Sequence, residues 1–227
     1  MGSVLEQISS ILEQEKCRTI FAVNPEKVIR CREDKVLFDA ITQSDILIPD
    51  GIGVVLAAKL LYGKKLGRVA GADLMPKICE LCVEKGKSVF LFGAKPETNT
   101  ALVDVLKSRF PELRVAGNQD GYIKDDENEQ LIDHINDSGA DVLFIALGSP
   151  KQEKWARENA EKLNVKIIQG VGGTFDVLTG NVRRAPVLFQ KLNLEWFYRL
   201  VSQPKRLIRQ TALPKFFFKV LKEKIVS

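Results

Sequence analysis

Three groups of residues in this chain are of types that do chemistry. The first is Gly170 to Asp176, GVGGTFD, which follows a short apolar stretch. Glycines let backbone N–H groups approach a ligand closely, and a helix starting there adds a partial positive charge. The run therefore reads as an anion-binding turn, with Gly172, Gly173 and Asp176 as candidate substrate-binding residues. The second is Asp50 in Pro-Asp-Gly, a carboxylate that either accepts a proton from a hydroxyl or caps the helix that follows. The third is a basic, aromatic tail that holds Arg199, Arg206 and Arg209. An anion loop joined to such a tail suits a phosphate-bearing small molecule at one end and a larger anionic partner at the other. The plainer alternative is a tight turn followed by a terminal helical cap.

Charge is unevenly spread. Residues 181–227 carry 11 Lys/Arg against 2 Asp/Glu, whereas residues 1–180 carry 23 against 27. A mildly acidic body with a strongly basic tail points the tail at a membrane surface or a nucleic acid. At 227 residues, 45% hydrophobic and 28% charged, the chain has room for a sizeable core without staples. Cys17, Cys31, Cys79 and Cys82 follow no leader-like segment, so free thiols in a cytoplasmic protein are expected. Cys79 and Cys82 form one C-x-x-C inside a helical pattern, and His134 is the only histidine. That set is too small for a zinc site, and no metal or cofactor is expected. No apolar run is long enough to span a bilayer.

The pattern of elements positions these groups. Apolar strands are predicted over 19–23, 45–48, 88–92, 113–116, 141–147 and 165–169. Helical patterns lie between them, among them 71–85, 96–109, 127–138 and a buried apolar helix over 52–61. Continuous apolar strands alternating with helices predict an α/β fold. Its sheet is Rossmann-like and largely parallel, with helices on both faces. In such sheets ligands sit at the carboxyl ends of the strands. The loops to inspect are Asn24-Pro25-Glu26, Pro49-Asp50-Gly51, 93–96, 117–122, 148–152 and 170–176.

The pattern changes past Ala185-Pro186, which divides the chain into an α/β domain (1–185) and a basic helical C-terminal appendage (186–227). Short helical pieces there are punctuated by Pro204 and Pro214. Phe216, Phe217 and Phe218 sit among Lys215, Lys219, Lys222 and Lys224. Aromatic anchors with a lysine face are what an interfacial helix needs, and anionic lipid adds about 1 kcal/mol per basic residue. Packing of these phenylalanines on the body is the other option. The apolar face of Leu188, Leu192, Leu194 and Phe197 would be covered either by a second copy, making a homo-oligomer, or by the tail.

Several pieces in order, NPEKV, PDGIGVV, GRVAGADL, LFGAKP, ALGSPKQEKW, GVGGTFDVLTG, RRAP and LEWFYRLVSQPKRLIR, carry a resemblance over nearly the whole chain. The sequence resembles the WecG/TagA/CpsF family of bacterial glycosyltransferases. That resemblance implies an inverting, metal-independent transfer of N-acetylmannosamine from its UDP sugar. The acceptor would be undecaprenyl-diphosphate-linked N-acetylglucosamine, in the step that commits the carrier to wall teichoic acid. It also implies a cytoplasmic protein held peripherally at the membrane by its appendage.

On that resemblance Asp50 is the base for the acceptor hydroxyl, and Asn24 orients acceptor or sugar. Arg68 meets the donor diphosphate, and Gln152, or Lys151 beside it, binds uridine or sugar hydroxyls. Arg199, Arg206 and Arg209 stabilise the departing UDP, so the tail would complete the site when folded over it. One departure is Ala22, where the family pattern leads one to expect Thr. The donor could equally be the uronic acid of N-acetylmannosamine. Two other readings stand beside this one. A nucleotide-binding oxidoreductase would use Gly170-x-Gly172, but its third glycine falls at Phe175 and the motif comes late in the chain. A nucleic-acid-binding module driven by the tail sits poorly with the acidic body, and no nucleic-acid partner is expected.

Overall fold

The computed structural model of the chain describes residues 1–192, 194–202 and 211–226. Six strands form one sheet: β1 (Arg18–Val23), β2 (Ile46–Pro49), β3 (Ser88–Gly93), β4 (Arg114–Gln119), β5 (Val142–Ala146) and β6 (Ile167–Gly170). Their order is β2-β1-β6-β5-β3-β4, and every neighbouring pair is parallel. β3, β5 and β6 are buried along their whole length. This is what continuous apolar strands require when helices cover both faces.

The helices are α1 (Gly2–Ile11), α2 (Pro25–Arg30), α3 (Lys35–Thr42), α4 (Ile52–Tyr62), α5 (Gly71–Glu84), α6 (Pro96–Arg109), α7 (Asn128–Asp137) and α8 (Lys151–Asn159). After β6 come α9 (Thr174–Leu178), α10 (Val187–Lys191), α11 (Glu195–Ser202) and α12 (Ala212–Val226). Alternating strand residues divide the core between two faces, as a period of two demands. One face packs Ile20, Phe144 and Ile167 against Leu74, Met75 and Ile78 of α5 and Phe175 of α9. The other packs Phe21, Leu143, Ile145 and Ile168 against Leu37 of α3, Ile135 of α7 and Ala156 of α8.

Three differences from the sequence reading have physical causes. α3 was not foreseen. Its start is set by Asp34, whose carboxylate accepts from the Leu37 N–H at 3.0 Å. α4 is not buried: no residue on it is inaccessible, and Leu56, Leu60 and Tyr62 are 56%, 43% and 72% exposed. It packs on β2, the edge strand, and on α12, so it gets no covered sheet face. Pro214 falls just inside a helix, two residues after the start of α12 at Ala212, rather than ahead of it. It sits in the first turn of α12, where its missing N–H has no intrahelical partner to lose.

α12 packs against α2 and α4. Phe216 is its buried anchor, lying over Gly53, where a Cβ would come within 3.8 Å of the ring. Phe217 and Phe218 face outward at 59% and 69% exposure, and Leu221 and Ile225 are exposed too. Among the described residues no helix is long and apolar enough to cross a membrane.

Candidate active site

Asp50 follows β2, and its N–H donates to the carbonyl of Val23 at 2.9 Å. The loop after β2 is thus tied to the end of β1. The N-cap of α4 is Gly51, at φ +109°, so Asp50 does not occupy that position. Asn24 follows β1 and caps α2, its Oδ1 accepting from the Lys27 N–H at 2.9 Å. Pro25 fills the first helical position, where its fixed φ suits the helix. Val23 pairs with Pro49 in the sheet register, which sets Asn24 and Asp50 side by side.

Arg68 reaches the same corner through its neighbour, since the Val69 N–H donates to the Pro49 carbonyl at 3.0 Å. Its guanidinium donates to Glu195 Oε2 at 2.5 Å, with the two side chains 21% and 7% exposed. Glu195 is the first residue of α11, so the appendage meets the body at this arginine. Arg184, in the RRAP run, makes a two-pronged pair with Asp73 at 2.5 and 2.7 Å. Donating hydrogen bonds to Asp73 holds the Arg184 guanidinium above its usual range against the pull of burial, and the charges of Asp73, Glu195 and Asp50 add to it. Arg184 therefore lies within electrostatic reach of both Asp50 and Glu195. A cleft of about 570 Å³ lies beside the Arg184–Asp73 pair, lined on its other sides by α5, α6 and α9. None of the sequence-predicted site residues lines it.

Gln152 and the glycine loop meet at a second place. Gln152 is 2% exposed. Its Oε1 accepts from the Gly172 N–H at 3.0 Å, and its Nε2 donates to Glu153 Oε1 at 2.9 Å. Gly170 leaves the room for this: a Cβ there would stand 2.7 Å from Gln152 Nε2 and 2.9 Å from Phe21. Glu153 is wholly buried and pairs with Lys27 Nζ at 2.7 Å. Lys151 is exposed, Gly172 half-buried at φ +56°, and Gly173 exposed as the N-cap of α9.

Asp176 stands apart from both places. Its Oδ1 accepts from Thr98 Oγ1 on α6 at 3.5 Å, and Thr98 in turn accepts from Asn181 Nδ2 at 3.0 Å. Arg199 lies on α11, and its side chain is not among those described. Arg206 and Arg209 lie outside the described residues. The loop after β3 holds Ala94 at φ 60°, a left-handed backbone that a non-glycine residue seldom adopts. Cys79 and Cys82 are buried in α5 and free. Burial pushes the Cys82 thiol up to about 12 and raises the Cys79 thiol as well, so little thiolate exists near neutral pH.

The structure thus brings Asp50, Asn24 and Arg68 to one corner at the ends of β1 and β2. It brings Gln152 and Gly172 together at the ends of β5 and β6. Sequence reasoning missed Lys27, Glu153, Arg184 and Glu195. Each lies inside a motif quoted above, Lys27 in NPEKV, Glu153 in KQEKW, Arg184 in RRAP and Glu195 in LEWFY, and none was given a role there. A base candidate at this corner can take a proton from a hydroxyl, and Arg68 at the same corner can offset charge on a leaving diphosphate.

The chain is 37% identical over 212 residues to an N-acetylglucosaminyldiphosphoundecaprenol N-acetyl-beta-D-mannosaminyltransferase of Bacillus subtilis, covering 93% of this chain and 82% of that protein. It is 36% identical over 219 residues to the protein of the same name from Bacillus spizizenii, covering 96% and 84%. The profile of the glycosyl transferase WecG/TagA/CpsF family matches residues 1–227 from end to end, and the chain belongs to that family.

Proposed function

We propose that this glycosyltransferase moves N-acetylmannosamine from a UDP-sugar donor to N-acetylglucosamine carried on undecaprenyl diphosphate. The reaction is a single displacement with inversion. The acceptor hydroxyl attacks the anomeric carbon, Asp50 takes its proton, and the bond to UDP breaks. Asn24 orients the acceptor beside Asp50. Arg68 meets the diphosphate, and Arg199, Arg206 and Arg209 add positive charge as UDP leaves. Gln152 or Lys151, with Gly172, Gly173 and Asp176, serves the donor side. The observation that carries this reading is the corner where Asp50, tied to Val23, stands beside Asn24 and next to the strand-end segment bearing Arg68. The names of both Bacillus relatives support the substrates.

The appendage, residues 186–227, presents the site to a membrane surface and brings the leaving-group arginines to it, while residues 1–185 hold the base and the rest of the site. Phe217, Phe218, Leu221 and Ile225 on α12, with Lys215, Lys219, Lys222 and Lys224 among them, are the contact surface. The exposed Leu56, Leu60 and Tyr62 of α4, against which α12 packs, extend it. α12 lies on α2 and α4, the helices that follow Asn24 and Asp50, so a lipid-borne acceptor arrives next to the base.

The test is UDP release from UDP-N-acetylmannosamine with a lipid-diphosphate N-acetylglucosamine acceptor, comparing the native chain with Asp50→Asn. Release should depend on acceptor and fall about 10²–10⁴-fold in the variant, the range for a lost general base. Equal release by both proteins would remove Asp50 from the role. Release only with the uronic acid donor would change the substrate and keep the reaction.

A further inference from the structure

We infer that Lys27 and Glu153 are positioning residues of the transfer reaction, a buried ion pair that fixes the loops after β1, β5 and β6 relative to one another. The inference rests on the reading above, because it takes those loops to be the site. Lys27 is fastened twice to the turn that carries Asn24. Its N–H donates to Asn24 Oδ1 at 2.9 Å, and its Nζ donates to the Ala22 carbonyl at 2.6 Å. The same Nζ meets Glu153 Oε1 at 2.7 Å. That oxygen also accepts from Gln152 Nε2, and Gln152 Oε1 accepts from the Gly172 N–H. One continuous polar chain therefore runs from the end of β1, through the start of α8, to the glycine loop after β6.

Stability alone does not explain such a pair. The Lys27 and Glu153 side chains are 8% and 0% exposed, so both charges have left water at a large cost. Well-packed apolar residues in place of a buried pair are often neutral or stabilising. Moreover, Glu153 Oε2 is buried and accepts no hydrogen bond among the described residues, so the carboxylate is not used to its full stabilising capacity. An apolar pair cannot supply direction. Lys27 and Glu153 aim hydrogen bonds at Ala22 and Gln152, and through them hold the Asn24 turn and the Gly172 amide. Neither residue touches substrate in this scheme. Both act through the groups they hold, and a displacement of about 1 Å in such groups costs about 100-fold in rate.

The test is the double variant Lys27→Met/Glu153→Leu in the full chain, read three ways: thermal unfolding, amide exchange by mass spectrometry, and steady-state transfer kinetics. The variant should melt at or above the native temperature. Exchange should quicken at least tenfold in the peptides holding Lys27 and Gly172, and kcat should fall about 100-fold with a smaller change in donor KM. A variant that melts like the native protein and keeps both its kcat and its slow exchange would overturn the inference. If the native chain shows no transfer at all, the proposed function fails, while exchange still decides the positioning role: quickened exchange supports it and unchanged exchange overturns it. If the double variant does not fold, Glu153→Asp decides. It keeps the charge and draws the carboxylate back by one methylene. A tenfold or greater loss of kcat supports positioning, and native kcat overturns it.

Discussion

Two lysine- or arginine-to-glutamate pairs stand at the carboxyl end of this sheet, and they differ in what surrounds them. Lys27–Glu153 lies inside, its side chains 8% and 0% exposed, and both partners bond to the backbone or side chains of strand-end loops. Arg68–Glu195 lies at the rim, with side chains 21% and 7% exposed, and joins the body to the appendage. The inner pair is closed to water at Glu153, so its two charges stay with each other. The outer arginine stands where an anion can compete for it. The same chemistry is a fixed brace in one place and an exchangeable contact in the other, and burial decides between them.

The comparison breaks first at Lys27. Lys27→Met alone leaves the Glu153 charge buried without its cation, which should cost about 3–5 kcal/mol in urea unfolding. A loss under 1 kcal/mol would show that water reaches the pair and that the two sites are alike. Gly170→Ala probes the inner site without removing a charge. Its Cβ would stand 2.7 Å from Gln152 Nε2 and 2.9 Å from Phe21, and overpacking of that kind costs about 1–3 kcal/mol. Gln152 would have to yield its bond to Gly172, so turnover should fall as well. A variant with native stability and turnover would mean that Gln152 moves freely. The smallest effect on stability belongs to the rim. Glu195→Gln keeps the shape of the side chain and an acceptor for Arg68, which is 21% exposed and so stays partly hydrated, and should cost about 1 kcal/mol. Removing this rival for Arg68 should tighten UDP binding severalfold in calorimetry. Weaker binding would make the rim pair a brace like the inner one.

The sheet was legible in the sequence because parallel strands covered on both faces must be apolar, and the runs of β3, β5 and β6 stand out, whereas the edge strand β4 showed only as the short stretch 113–116. The strand-end loops were legible for the same reason: polar and glycine residues follow each run. Apolar content alone misread α4, since hydropathy does not separate a helix facing the core from one lying at a sheet edge. α3 was missed because its eight residues follow a polar stretch, and only the Asp34 cap marks its start. The inner brace was invisible for a different reason. Glu153 reads as one charge among several in KQEKW, the look of a solvated helix, and its partner lies far off in sequence at position 27. The contacts of Arg68 with Glu195 and of Arg184 with Asp73 span 127 and 111 positions, and only folding brings them together. The roles suggested for Arg206 and Arg209 lie outside the described residues.

β6 is the last strand to be synthesised, yet it lies in the middle of the sheet, between β1 and β5. Until residues 167–170 emerge, β2-β1 and β5-β3-β4 are two separate fragments, each with an unpaired edge. Joining β1 to β6 closes a long stretch of chain, which is the slow kind of step in folding. It also makes assembly all-or-none at the place that matters, because the glycine loop follows β6 directly. A nascent chain cannot hold a partly working site: the four-residue wedge that unites the sheet also delivers the loop that Gln152 grips. Sequence changes in this wedge should therefore show up first as protein lost to aggregation during synthesis, and only second as slower turnover in the molecules that survive.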